Sequence, residues 1–237
     1  MRNTRKLRAY DSRRRTNFFP AFSVTTWLII VNVAFFVIFA PLLAISQDYA
    51  KYVAIQPEAI MHGKYLWTII TNVFMHAGFA HLLINMFVLF SLGGLCEKII
   101  GRKRYFWFYL VSGIIAGLSF VFFAYFFGNN PLGERIFGAP DNMAVGASGA
   151  IFAVAGLFMI LTPRLRFTII FLPFFSLPAY IMIPLVLVLT WIISVSAGFG
   201  VGNTAHFGGF LVGVLFALYL RHKYKRKTKM IERYFSR

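Results

Sequence analysis

The sequence predicts an all-α membrane protein of six transmembrane helices with both termini on the cytoplasmic side. Three observations carry this. Hydrophobic residues make up 59% of the 237 residues and charged residues only 13%, about half the usual quarter. The apolar residues gather into runs near the ~20 residues that cross a hydrocarbon core about 30 Å thick. Lys and Arg collect in alternate connections between those runs.

The first run, Val24 to Ile45, follows the basic stretch Met1 to Arg15. Basic residues before an apolar run also describe a signal peptide, with Ala44-Ile45-Ser46 as a small-x-small site. The run exceeds the usual h-region of about 7 to 15 residues, so it reads as a retained first span. Further runs extend over Ala77 to Cys96, Tyr105 to Phe127, Ala147 to Leu161, Ala179 to Val195 and Thr204 to Leu220. Phe167 to Pro178 is apolar too, but Pro173 and Pro178 interrupt it and predict a turn or interfacial segment leading into the fifth span.

With 24 Lys and Arg against seven Asp and Glu the net charge is +17. In a soluble protein that balance points to nucleic acid; in a membrane protein it sorts the connections. An N-in, C-in topology places Arg2, Arg5, Lys6, Arg8, Arg13 to Arg15, Lys98, Arg102 to Arg104, Arg164, Arg166 and the tail from Arg221 to Arg237 inside, leaving Lys51, Lys64 and Arg135 outside. Nucleic acid then drops out as a partner, and anionic lipid headgroups replace it. The expected organisation is a basic cytoplasmic segment over 1-23, a membrane domain over 24-220 and a basic cytoplasmic tail over 221-237. Asp48, Glu58, Glu134 and Asp141 fall outside, and no acidic residue falls within a predicted span. No internal repeat supports an inverted-repeat transporter, and ion coupling lacks its buried carboxylates. The lone Cys96 excludes an intramolecular disulfide and a Cys-based zinc site.

Polar groups in the hydrocarbon layer are costly and face a cavity or a partner. His76, His81 and Asn85 lie at the start of the second span, Ser148 at the start of the fourth and His206 at the start of the sixth. Counting back from the cytoplasmic basic residues at ~1.5 Å per residue puts Ser148, His206, His81 and Asn85 about 20 to 25 Å up, in one layer below the outer face. Glycine-rich surroundings, Gly146-Ala147-Ser148-Gly149 and Ala205-His206-Phe207-Gly208-Gly209 with Gly213, allow close backbone approach. If those faces meet, His206 can take the Ser148 proton during attack on a carbonyl. With no carboxylate in a span, the inference is a dyad rather than a triad. His81 and Asn85, four apart, share a helix face, and with the Ser148 amide they can donate to an oxyanion. Each feature also has a bland reading: Ser148 as a packing contact, His81 with Asn85 as an interhelical polar pair, His206 as a structural bond to Ser148. Their common depth favours catalysis. His76 reads as structural and His62 and His222 as solvated; a His62/His76/His81 metal cluster lacks further ligands at metal spacing. No metal or cofactor is expected.

Three motifs resemble the rhomboid intramembrane serine proteases. They are Phe74-Met75-His76-Ala77-Gly78-Phe79-Ala80-His81-Leu82-Leu83-Ile84-Asn85-Met86, Gly146-Ala147-Ser148-Gly149, and Ala205-His206-Phe207-Gly208-Gly209-Phe210-Leu211-Val212-Gly213. Together they cover roughly 66 to 220. The resemblance implies a six-helix rhomboid-like bundle that hydrolyses peptide bonds in or near a substrate's transmembrane helix. Ser148 would be nucleophile and His206 base, with His81, Asn85 and the Ser148 amide as the oxyanion hole. Gly146, Gly149, Phe152 and Gly209 would support the site. The fifth span, with Pro184 inside it, and the loop Gly198 to Gly202 would form gate and cap, and small residues would be preferred at the cleavage point. Two departures stand out: Trp67-Thr68 where many members carry Trp-Arg, and Phe152 where a tyrosine is common under the histidine ring. The alternative is a proteolytically silent rhomboid-like protein that binds membrane helices. The expected location is a plasma membrane; an Arg-rich N-terminus also resembles a mitochondrial presequence, but Asp11 and the lack of an amphipathic period argue against it.

Overall fold

The computed structural model describes residues 22–169, 172–198 and 202–235. The basic residues of 1–21 and the centre of the Gly198 to Gly202 loop lie outside the described residues. Five helices are long and apolar enough to cross a membrane: α1 (Val24–Ile45), α4 (Phe79–Ile100), α5 (Arg102–Phe127), α8 (Ala179–Ala197) and α9 (Asn203–Lys223). Shorter helices complete the chain: α2 (Pro57–Met61), α3 (Thr68–Thr71), α6 (Pro131–Phe137), α7 (Ser148–Leu161) and α10 (Lys225–Tyr234). The chain is a multi-pass, all-α membrane bundle whose long helices sit within a few residues of the predicted spans.

α7 is the hub. At 14 residues it is about 21 Å long, short of the ~30 Å core. Yet Ala150, Ala153, Val154, Leu157, Phe158 and Leu161 are all buried. α4, α5, α8 and α9 pack round it, which is why an apolar helix too short to span is stable here. The seam with α9 is made of missing side chains. A β-carbon on Gly209 would strike the carbonyl oxygen of Gly149, one on Gly213 that of Ala153, and one on Gly156 would lie 2.5 Å from that of Phe210. Backbone thus meets backbone, and dispersion between the two helices replaces a hydrophobic force that lipid cannot supply.

At the end of the bundle where α4 meets α5, a carboxylate pins three helices together. Glu97 is 7% exposed and lies within α4, which continues to Ile100; this corrects the expectation that no acidic residue enters a span. Its Oε1 accepts from the Val24 amide at 3.0 Å, and its Oε2 from the Thr25 amide and hydroxyl, each at 3.0 Å. Those amides are at the N-terminus of α1, where helix donors lack partners and negative charge is favoured. Arg102 opens α5 and stands 3.4 Å from Oε1, while also donating to the Phe22 carbonyl. Only Gly101, at φ +87, separates α4 from α5, a left-handed turn that an L side chain resists.

The segment Phe167 to Pro178 is also corrected. Where a turn or interfacial segment without regular structure is expected, β1 (Arg166–Ile169) and β2 (Leu172–Pro178) pair antiparallel, with Arg166 opposite Pro178. The Arg166 guanidinium ties the pair by donating to the Ser176 hydroxyl and carbonyl. Pro178 is the N-cap of α8, where its missing N–H costs no ladder bond.

Two stability predictions follow from these contacts. Glu97→Ala strands the amides of Val24 and Thr25 and is expected to cost about 2–3 kcal/mol in reversible unfolding from detergent micelles, with Glu97→Gln costing less. Gly209→Ala forces α7 and α9 apart and is expected to cost about 1–3 kcal/mol in the same assay.

Candidate active site

The α7–α9 seam brings together two residues 58 positions apart. Ser148 Oγ and His206 Nε2 are 2.7 Å from each other. Ser148 is the first residue of α7 and is half-buried, whereas His206, in the first turn of α9, is only 9% exposed. Phe152, one turn after the serine, stacks on the His206 ring at 4.7 Å between centroids and 30° between planes. His206 Nδ1 has no hydrogen-bond partner among the described residues. With Nε2 accepting the serine proton, the neutral ring carries its own proton on that unpartnered Nδ1.

His81 approaches from α4. A β-carbon at Gly146 would sit 3.0 Å from His81 Cε1, 3.1 Å from its Nε2 and 3.5 Å from Ser148 Oγ. The His81 ring and the serine hydroxyl therefore flank one small space that glycine leaves open. Gly146 also has φ +137, so glycine is required there twice over. The Ala77 amide donates to His81 Nδ1 at 3.4 Å, which leaves the imidazole proton on Nε2, toward that space. Asn85 is buried one turn further on, and its Nδ2 donates to the His81 carbonyl at 2.9 Å. One amide hydrogen is spent on its own helix and one remains. The amide of Ser148, at the start of α7, belongs to the first turn, whose donors have no intrahelical acceptor.

Gly149 and Gly209 act through packing rather than by touching Ser148 and His206: a β-carbon on Gly209 would strike the Gly149 carbonyl across the seam, and one on Gly149 would lie 2.5 Å from the Ala116 β-carbon of α5. His76 is 1% exposed and packs edge-on against His81 at 5.1 Å between centroids, fixing that ring's far side. His62 and His222 are exposed.

One residue escaped the sequence reading. Asn72 accepts the Gly146 amide on its carbonyl at 2.8 Å, while its side chain donates to the Thr68 and Ile69 carbonyls. The connection between α1 and α4 is thereby tied to the turn that carries the serine. Ile55 and Ala144 exchange both backbone bonds, at 3.0 and 2.9 Å, and strengthen the tie. The departure at Trp67-Thr68 has a local answer: the Trp67 indole donates to the Tyr52 carbonyl at 3.0 Å and the buried Thr68 hydroxyl to that of Tyr65 at 2.7 Å. On the other side, the Trp191 indole of α8 donates to the Ile136 carbonyl at 3.2 Å and its ring lies 6.2 Å from Phe207. A cavity lined by Glu134, Asn142, Ala144, Ser194, Gly198 and Gly202 opens beside these groups.

Comparison with known proteins bears on this arrangement. The family model for the Rhomboid domain matches residues 63–223. RHOMBOID-like protein 5 of Arabidopsis thaliana is 32% identical over 178 residues, covering 73% of this chain and 50% of that protein. Rhomboid protease GluP of Bacillus subtilis is 30% identical over 180 residues, 73% of this chain and 29% of its own. The mitochondrial presenilin-associated rhomboid-like protein of Homo sapiens is 28% identical over 153 residues, 62% and 36% respectively. The chain spans half the length of these relatives or less. Since the matched domain takes in the seam, the serine turn and both histidine-bearing helices, the chain belongs to the rhomboid family, a family of intramembrane proteases.

Proposed function

We propose that the chain is an intramembrane serine endopeptidase that cleaves transmembrane or juxtamembrane segments of membrane proteins with Ser148 and His206. The observation that carries this reading is the 2.7 Å Oγ–Nε2 contact, held by backbone packing that leaves neither residue free to drift. In the first step Ser148 Oγ adds to the scissile carbonyl carbon while its proton passes to His206 Nε2. The carbonyl oxygen becomes an oxyanion. It is met by His81 Nε2–H, the Ser148 amide and the remaining Asn85 N–H, donors in place before charge develops. Collapse breaks the C–N bond, and the imidazolium returns its proton to the leaving amine. Water, deprotonated by the same nitrogen, then releases the acyl group from Ser148. No carboxylate steadies the imidazolium among the described residues. The face of Phe152 does so instead, by stacking and by cation–π attraction.

A helix that starts about 20 Å above the cytoplasmic side recesses the serine below the outer surface, so water enters from outside. α8 suits a gate. One face, with Ala179, Ile183 and Leu187, packs on the core, whereas Val188, Ile192 and Ile193 on the other are exposed. The topology that fits is N-in and C-in, in a plasma membrane.

The test is cleavage of a transmembrane-helix substrate by purified protein in detergent. Ser148→Ala and His206→Ala are expected to abolish turnover, and undiminished cleavage by either sinks the mechanism. Labelling of Ser148 by a fluorophosphonate separates this reading from a silent membrane-helix binder, whose serine stays unreacted. Gly146→Ala puts a methyl into the space between His81 and Ser148; kcat is expected to fall ~100-fold or more, as for loss of an oxyanion donor, with substrate binding retained.

A further inference from the structure

The cleavage chemistry leaves α10 unexplained. This ten-residue helix carries Lys225, Arg226, Lys227, Lys229 and Arg233, all exposed, in a pattern that is not uniformly polar. Thr228 is buried, with Ile231 and Phe235 half-buried on the same side, and that side turns back to touch α7 as well as α9. Met230 and Tyr234, four residues apart and so on one face, are 70% and 75% exposed. At 100° per residue their strip is bordered by Arg226 and Arg233 on one edge and by Lys227 on the other. An apolar strip between two rows of cations matches the boundary between headgroups and acyl chains.

The root of the helix is fixed at that level. A single non-helical residue, Tyr224 at φ −122 and ψ 43, separates α10 from the membrane-spanning α9, whose last turn contains Arg221 and Lys223. The Tyr224 hydroxyl accepts from Arg104 at 3.1 Å, with the guanidinium 5.2 Å from the ring centroid. Lys223 Nζ donates to the Tyr219 hydroxyl at 2.7 Å. The basic turn between α4 and α5 and the start of α10 therefore form one cationic rim on the cytoplasmic end of the bundle. A one-residue joint cannot carry the strip far from the bilayer surface.

We infer that α10 is an interfacial helix that docks on the anionic phospholipid leaflet, inserting Met230 and Tyr234 among the headgroups while Arg226, Lys227 and Arg233 pair with lipid phosphates. A lipid surface suits the strip better than an acidic protein, because the helix is tethered in the plane of the membrane that its apolar residues can enter.

The test uses the full chain and does not depend on turnover, so its outcome is separate from that of the protease reading. Cys96 is the single cysteine and is fully buried; Met230→Cys therefore supplies one accessible thiol for an environment-sensitive nitrobenzoxadiazole label. In nanodiscs of phosphatidylcholine with added phosphatidylglycerol, the label is expected to shift to the blue and to be quenched by lipids spin-labelled near the headgroup. A label at Lys225→Cys, on the opposite face, stays aqueous. Combining Arg226→Gln, Lys227→Gln and Arg233→Gln lowers the docked-to-free ratio by about a hundredfold at low salt, each surface cation contributing about fivefold. An aqueous label at 230 in every lipid overturns the inference. So does equal burial in phosphatidylcholine alone, or burial that arises only when an acidic protein or nucleic acid is added.

Discussion

The contact on which the rest of the structure depends is the meeting of the α7 and α9 backbones at Gly149 and Gly209. Two helices with ordinary side chains pack 8–10 Å apart; here the missing β-carbons let carbonyl oxygens occupy the space that side chains would fill. That approach fixes the separation of Ser148 and His206 without any bond devoted to the purpose. It also places both residues at the start of their helices, where first-turn amides are free. A histidine deep in apolar surroundings is otherwise a liability; within this seam it finds a hydroxyl on one nitrogen and an aromatic face beneath.

A short central helix creates a second requirement. Between α6 and α7 the chain runs as irregular backbone from Gly138 to Ala147 beside the membrane-buried core, which is tolerable only when its polar groups are satisfied by protein. The connection between α1 and α4 supplies them. Ile55 bonds Ala144, Pro140 accepts from Glu58, and Asn72 accepts from Gly146. What positions the serine is thus partly a segment, Ile55 to Asn72, that lies far earlier in the chain. The same logic operates at the opposite end, where Glu97 satisfies the first amides of α1.

Much of this was legible in the sequence, for physical reasons. Apolar runs at spanning length have few folded alternatives, so the long helices fall where hydropathy places them. Ser148, His81, Asn85 and His206 stand out because an uncharged polar group in such a run needs a reason to be there. The rest was hidden by being tertiary. Glu97, adjacent to Lys98, reads as a loop residue until α1 folds against it. Phe167 to Pro178 reads as a broken apolar stretch because strand pairing leaves no periodic mark when prolines interrupt it. Asn72 looks like one more residue of a short apolar loop, and its backbone carbonyl, the group that matters, is invisible to any reading of side-chain types.

The order of the chain has a further consequence. Ser148 is carried by the central helix α7 and its proposed base, His206, by α9, 58 residues later. During synthesis Ser148 is made, and its outer loop can fold, long before His206 leaves the ribosome. Throughout that interval the hydroxyl has no base, and α7 has no glycine seam to pack on. On the proposed mechanism, a nascent protein surrounded by unfolded transmembrane segments, its own included, is therefore chemically silent, and the synthesis of α9 is the event that arms it.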